Sequence, residues 1–95
     1  MNANDLTFAI ELETVISAAT ANRNGLFIGG YHNGRQVPYL PDGWTAARDG
    51  SVSGSGDALS CEIVSPILRG ADGISAVYEA VKTLTEKGHR INASC

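Results

Sequence analysis

The sequence predicts an α+β fold, in which a mostly antiparallel sheet carries one clear helix packed on one face. Two observations support this class. Short apolar segments typical of strands occur near both ends of the chain and in its middle. One longer segment, residues 72–87, repeats its apolar residues at helical spacing instead. A chain of 95 residues forms one domain at most, so we expect residues 1–95 to be a single unit.

The first strand is predicted at residues 6–13, where large apolar residues occupy every second position from Leu6 to Leu12. Side chains alternate between the two faces of a strand, so these apolar residues should point into the core. Glu11 and Glu13 then share the opposite face, with their Cα atoms roughly 6.5–7 Å apart. Two carboxylates at this spacing can bind one hard cation such as Mg²⁺, although a solvated strand face would show the same pattern.

Glu62 is the third acidic residue of interest. It lies in the otherwise apolar segment 59–64, which predicts another strand. A carboxylate in such a segment is costly unless it is paired or bound to a metal. It could complete an oxygen cage with Glu11 and Glu13, and an ordinary solvent-facing glutamate is the alternative.

The middle of the chain combines short predicted strands with turns. Residues 14–24 are small and moderately polar, and they could form either a short helix or an irregular connection. Residues 44–48 predict a short strand, and Asp49 at its end is typical of a turn. The loop at residues 53–56 lacks the Gly-Lys-Ser/Thr ending of a phosphate-binding loop and predicts a flexible connection. His32 has no metal-ligand residue at a suitable spacing, so we expect it in a surface turn.

The one clear helix is predicted from about Asp72 to Lys87. Asp72 is the expected N-cap, and Gly88 fits the C-terminal stop. His89 should then be a positive charge that complements the helix dipole, and residues 90–93 restart a strand. The helix should face the core with an apolar stripe, formed by Ile74, Val77, Tyr78, Val81 and Leu84.

Composition excludes several classes of function. A net charge of −3 and a pI near 5.1 provide no electrostatic footprint for nucleic acid. No apolar run approaches the roughly 20 residues of a membrane span, so no membrane partner is expected. Cys61 and Cys95 are too few for a disulfide framework, and we expect reduced thiols in a cytoplasmic protein.

Several segments occur in an order that is informative beyond their local structure. The opening strand, residues 8–14, contains Phe-Ala-Ile-Glu-Leu-Glu-Thr. It is followed by segments 29–34, 41–44, 49–51, 62–66, 69–70 and 92–95. Together they resemble the putative amidoligase family, which comprises carboxylate–amine ligases related to glutamine synthetase and γ-glutamylcysteine synthetase. The resemblance covers nearly the whole chain and implies a fold like the N-terminal half of a glutamine-synthetase-like ligase domain.

Two positions depart from the family pattern. Ala9 replaces a frequent glycine, which is a small change because alanine is also small. The chain stops at Cys95, where the family's Gly-x-His-x-His element would begin. We therefore expect residues 1–95 to be a partial domain, truncated before that element.

The resemblance implies an enzyme that uses ATP and Mg²⁺ to join a carboxylate to an amine, or an inactive or split fragment of such an enzyme. By match to the family's acidic positions, the implied metal ligands are Glu11, Glu13 and Glu62. Arg69 and Asp49 are the implied catalytic contacts to substrate or phosphate, and Ser65 is the implied cofactor-binding residue. Substrates would be small-molecule or peptide carboxylates and amines. Protein partners would be a complementary C-terminal half or a second copy of the chain.

Two other functions stay open from the residues alone. The chain could be a non-catalytic interaction module that uses exposed strand edges to pair with another chain, because unpaired edges recruit other strands. It could also be a small acidic domain without a ligand.

Overall fold

The computed structural model describes residues 6–31, 33–48 and 58–92. It confirms the α+β class, with strands gathered in one main sheet and one long helix. The strands and helices, in chain order, are β1 (Thr7–Phe8), β2 (Glu11–Ser17), α1 (Ala18–Arg23), β3 (Gly29–Tyr31), β4 (Arg35–Gln36), β5 (Thr45–Arg48), β6 (Ala58–Val64), β7 (Leu68–Arg69), α2 (Gly70–Glu86) and β8 (Arg90–Asn92).

The main sheet has the strand order β3-β5-β6-β2-β8, with β4 also paired to β5. All pairs are antiparallel except β3 with β5, which makes the sheet mixed. β2 and β6 are seven residues long and pair along their whole length, from Glu11 opposite Val64 to Ser17 opposite Ala58. They form the centre on which the other strands assemble.

The strand predicted at residues 6–13 is interrupted at Ala9 and Ile10, so β1 and β2 belong to different sheets. β1 pairs with β7 in a two-stranded sheet. The interruption reflects Ser65, whose hydroxyl accepts a hydrogen bond from the Ile10 N–H at 2.9 Å and whose own N–H donates to the Ile10 carbonyl at 3.0 Å. Pro66 follows and has no N–H to continue the pairing, so the two strand segments of the chain separate there.

The alternation predicted for β2 is confirmed where the strand is continuous. Thr14 and Ile16 are buried, whereas Glu11 and Glu13 are exposed. Leu6 is an exception, since it is 52% exposed and does not reach the core. The buried core behind β2 contains Ile16, Ala21, Leu26, Val37, Leu40, Trp44, Ala46, Cys61, Ile63, Leu68, Ala80 and Leu84.

Of the two alternatives predicted for residues 14–24, a short helix or an irregular connection, the structure shows the short helix. β2 extends to Ser17, and α1 begins directly after it. The Ser17 hydroxyl caps α1 by accepting a hydrogen bond from the Thr20 N–H at 3.1 Å. Its short length leaves α1 as a connection rather than a major part of the core.

α2 begins earlier than predicted, and its buried face differs from the predicted stripe. Arg69, not Asp72, occupies the N-cap position, without a side-chain capping bond. Leu84 and the small residues Gly73 and Ala80 are buried, whereas the predicted core residues Ile74 and Tyr78 are 66% and 72% exposed.

The reason for this shift is close packing at Gly73. A Cβ atom there would lie 2.8 Å from the Leu68 Cβ, so β7 and the ring of Phe8 occupy the space that a larger residue would need. The small residues of α2 therefore face the protein, and the large residues at 74 and 78 turn outward. Gly88, with a φ of 98°, ends the helical segment as predicted.

Neither helix in the described part of the chain has the length and apolar character needed to cross a membrane.

Candidate functional site

The three candidate metal ligands lie on the sheet face opposite the core. Glu13 and Glu62 are directly opposite each other in the β2–β6 register, and Glu11 is opposite Val64. Directly opposed residues have Cβ atoms about 4.5–5.5 Å apart, and diagonal neighbours such as Glu11 and Glu62 lie roughly 7–8 Å apart. The two strands therefore gather all three carboxylates on one surface, with Glu13 and Glu62 as the closest pair.

Glu11, Glu13 and Glu62 form what we call the acidic row, and positive charge is available beside it. Arg90 of β8 is opposite Val15. Val15 is two residues after Glu13 on β2, so Arg90 lies on the same sheet face as Glu13. Like charges directly opposite each other destabilise a sheet, and a diagonal cation offsets part of that effect. On the far side of Glu62, β5 places the small buried residue Ala47. The row thus lies between an arginine and a small apolar residue.

The carboxylates do not form a closed cage. Across residues 6–31, 33–48 and 58–92, no three histidine, cysteine, aspartate or glutamate side chains are grouped so that they could hold a metal ion. The oxygen donors nevertheless fit Mg²⁺ chemically, because this ion is usually held by one or two carboxylates together with water and substrate phosphates. Glu13 and Glu62 could supply such an open site, with Glu11 at its rim.

Arg69 lies at the N-terminus of α2. It is exposed, pairs with Thr7 across β1 and β7, and borders a groove of about 570 Å³ lined by residues 67–73 and Ala76. The first-turn N–H groups and the dipole of a helix favour anions at this end. An arginine fork in the same place can bind two oxygens of a carboxylate or phosphate.

Ser65 is buried and hydrogen-bonded to the backbone on both sides. Its hydroxyl accepts from the Ile10 N–H and donates to the Pro66 carbonyl at 2.8 Å. Cofactor binding through this hydroxyl would have to replace one of these bonds. The backbone contacts give Ser65 a role in joining the start of β2 to the end of β6.

Several residues and segments with sequence predictions lie outside the described residues. They include Asp49, His32, Cys95 and the loop at residues 53–56.

Sequence reasoning missed a buried polar network on the core face. Thr14 Oγ1 lies 2.9 Å from His89 Nδ1 and 3.2 Å from Cys61 Sγ, and Tyr39 Oη lies 2.6 Å from His89 Nε2. The signal that could have found it is Thr14 itself. This hydroxyl falls on the apolar side of β2, where it requires a hydrogen-bond partner.

The network changes the expected state of His89. Burial lowers the pKa of His89 to about 4, and burial together with the charge of Cys61 raises the pKa of Tyr39 to about 12. His89 is therefore neutral at pH 7. The prediction that it is a charged residue at the helix C-terminus is wrong, because the ring turns into the core rather than toward solvent.

The fold and the site together define a small α+β domain with an acidic, open sheet face. A family model described as a putative amidoligase enzyme matches residues 5–95. The chain belongs to this amidoligase family. No curated protein and no solved structure matches the chain. The predicted likeness to a glutamine-synthetase domain therefore stays a prediction.

Proposed function

We propose that this domain takes part in ATP- and Mg²⁺-dependent ligation of a carboxylate to an amine. The observation that carries the proposal is the direct opposition of Glu13 and Glu62 on the open sheet face, in a chain of the amidoligase family. We further propose that the reaction takes place in the cytoplasm, where ATP is abundant.

The proposed reaction has two steps. First, a carboxylate oxygen of the acid substrate forms a bond to the γ-phosphorus of ATP, and the bond from that phosphorus to the bridging oxygen breaks. This releases ADP and leaves an acyl phosphate. The amine nitrogen then bonds to the acyl carbon, phosphate leaves, and the nitrogen loses a proton as the amide forms.

The acidic row would hold the ion and its phosphate ligands. Glu13 and Glu62 would bind Mg²⁺ directly, and Glu11 would bind it directly or through water. When bound, Mg²⁺ neutralises phosphate charge and orients the in-line transfer. The open geometry supports this assignment, since phosphate oxygens and water need the remaining coordination positions.

Arg69 would bind the anionic part of the substrates. Its position at the α2 N-terminus supports contact with a phosphate or with the acid substrate, because both the side chain and the first-turn amides favour negative charge. We retain Asp49 as a candidate for contact with substrate. For Ser65 we propose an indirect contribution, in which the hydroxyl holds the start of β2 in place beside a bound nucleotide.

Calorimetric titration with Mg²⁺-ATP tests the metal site. The parent chain should release or absorb heat with a defined stoichiometry, and Glu13→Gln and Glu62→Gln should each weaken binding strongly while leaving a measurable residual affinity. Glu79→Gln is the matched control, because Glu79 is an exposed glutamate on α2 outside the acidic row. Equal titrations for all four proteins would reject the site.

Trapping with hydroxylamine tests the chemistry. An acyl phosphate reacts with hydroxylamine to give a hydroxamate, which can be detected without knowing the natural amine. A mixture of free amino acids serves as the carboxylate probe. Hydroxamate should form with the parent and with Glu79→Gln but not with Glu13→Gln, and ADP formation without hydroxamate would contradict the acyl phosphate.

The position of β8 favours a second candidate function, in which the chain pairs with another strand. β8 is the last strand in the sheet order, and in the part of the chain that the structure describes it pairs only with β2. A complementary chain or a second copy could add a strand beside it. Sedimentation equilibrium over a range of protein concentrations tests this, and a single-chain mass throughout would count against self-pairing.

A further inference from the structure

The buried network lies directly behind the acidic row. Thr14 is the next residue after Glu13 on β2, and Cys61 precedes Glu62 on β6. Because alternate residues of a strand point to opposite faces, the polar network and the carboxylates occupy the two sides of the same strands. Any change in how the network holds these strands therefore reaches the carboxylates through one peptide unit.

Thr14 is the point at which three strands are joined by side chains. In the register it is opposite Cys61 on one side and Ile91 on the other. Its hydroxyl bonds to Cys61 of β6 and to His89, the residue immediately before β8. In the part of the chain that the structure describes, β8 pairs with β2 at three positions, and the bond from His89 adds a side-chain attachment beside them.

The hydrogen bonds of this network can all be satisfied at once. Neutral His89 has one donor and one acceptor nitrogen. In one arrangement Tyr39 donates to Nε2, Nδ1–H donates to Thr14, and the Thr14 hydroxyl donates to the Cys61 sulfur. In the other tautomer the Cys61 thiol donates to the Thr14 oxygen, the Thr14 hydroxyl donates to Nδ1, and Nε2–H donates to the Tyr39 oxygen. Among the described residues, no buried side-chain nitrogen or oxygen lacks a partner.

Such a network restricts strand position more tightly than apolar contacts do. Hydrogen bonds weaken steeply when their distance or angle changes, whereas methyl groups can slide over one another with little loss. A slip of one residue would also move Glu62 to the core face, because the side-chain period of a strand is two residues. The Thr14–Cys61 bond thus supports, from the core face, the register that brings Glu62 opposite Glu13, and His89 bonds to the same threonine.

We propose that Thr14 and His89 are positioning residues for the carboxylate pair. His89 bonds to the Thr14 hydroxyl and orients it, and Thr14 in turn bonds to Cys61 of β6, so that together they support the separation of the Glu13 and Glu62 carboxyl groups. This inference rests on the proposed Mg²⁺ site. It adds that the affinity of that site depends on a polar network on the opposite face of the sheet.

Titration with Mg²⁺-ATP of variants on the core face tests the proposal. Thr14→Val keeps the shape of the side chain and removes the hydroxyl, and it should weaken binding several-fold because β6 and His89 are then no longer bonded to β2 at this position. Thr14→Ser keeps a hydroxyl and should retain the affinity of the parent. Tyr39→Phe, at the half-buried end of the network, should fold readily and weaken binding by a smaller factor.

A control separates positioning from general loss of stability. Leu26→Ala creates a cavity at a buried residue that has no bond to the network. It should lower the melting temperature without changing Mg²⁺-ATP affinity, provided that binding is measured well below the melting transition. If Leu26→Ala and Thr14→Val weaken binding equally, Thr14 has only a structural role and the proposal is overturned.

Hydrogen exchange provides a readout that does not need the metal. Amides of Arg90–Asn92 should exchange faster in Thr14→Val than in the parent or in Leu26→Ala, because the network holds β8. Unchanged exchange would overturn the positioning role. If exchange is faster in Thr14→Val but the parent chain does not bind Mg²⁺-ATP, the proposed metal site is rejected and the attachment of β8 through Thr14 still holds.

Discussion

His89 Nδ1 lies 2.9 Å from the hydroxyl oxygen of Thr14, a residue 75 positions earlier in the chain. This bond connects the segment after α2 to the central strand β2. The imidazole is buried, and its hydrogen-bond partners are hydroxyl groups rather than carboxylates. A neutral imidazole is stable there, whereas a charged one would lose its hydration.

Stability should therefore decrease as the pH falls through the titration range of His89. In the unfolded chain its pKa is near 6.5, and in the folded protein burial lowers it to about 4. Between these values the unfolded chain binds a proton that the folded protein does not, so acid favours unfolding. The loss should approach about 3 kcal/mol at the acid end of this window, at about 1.4 kcal/mol per pKa unit, with little effect above pH 6.5.

Urea unfolding between pH 6.5 and pH 4 checks this prediction. His89→Asn is the control, because asparagine can replace part of the hydrogen bonding and does not titrate. The stability of this variant should depend less steeply on pH than that of the parent. The same slope in both proteins would show that other groups, such as the carboxylates, account for the acid sensitivity.

Gly73→Ala should destabilise the protein although alanine favours helix formation. The added methyl group would lie 2.8 Å from Leu68 Cβ and 3.0 Å from the Phe8 ring, so α2 would have to move away from β7. We expect a loss of about 1–3 kcal/mol, as for other overpacked cores. Ser75→Ala is the matched control on the exposed side of the same helix, and chemical denaturation should show it to be neutral or slightly stabilising.

The revised buried face of α2 makes a second prediction about stability. Leu84 is fully buried, so Leu84→Ala should lower the unfolding free energy by about 2–5 kcal/mol. Ile74, a residue of similar size on the same helix, is 66% exposed, and Ile74→Ala should change it by no more than about 0.5 kcal/mol. Equal losses for the two variants would mean that Ile74 packs against something in solution.

The comparison of sequence and structure shows which features depend on local pattern. The opposite orientation of Glu13 and Thr14 could be predicted because strand alternation depends only on neighbouring residues. The opposition of Glu13 and Glu62 could not, because it requires the register of two strands about fifty residues apart in sequence. The interruption at Ala9 and Ile10 has the same origin, since Ser65 and Pro66, which directly follow β6, impose it.

The buried face of α2 and the state of His89 were also set by distant contacts. Apolar periodicity predicts that Ile74 and Leu84 are both buried. It contains no information on the close approach of α2 to Leu68 that Gly73 allows. His89 follows a helix, and that position alone favours a charged residue at the surface. Its burial depends on Thr14 and Tyr39, which belong to segments far from it in the sequence.

Glu13 and Glu62 should act as a unit in binding Mg²⁺-ATP. Because both would coordinate the same ion, removing either carboxylate should eliminate most of the affinity, and removing both should add little. The effects of Glu13→Gln and Glu62→Gln should therefore be non-additive by about 0.5–3 kcal/mol in a double-mutant cycle measured by titration. The control cycle pairs Glu13→Gln with Glu79→Gln, which lies on α2 and should be additive. If the two carboxylates of the acidic row also behave additively, they do not share an ion, and direct opposition in the sheet is then only a feature of the fold.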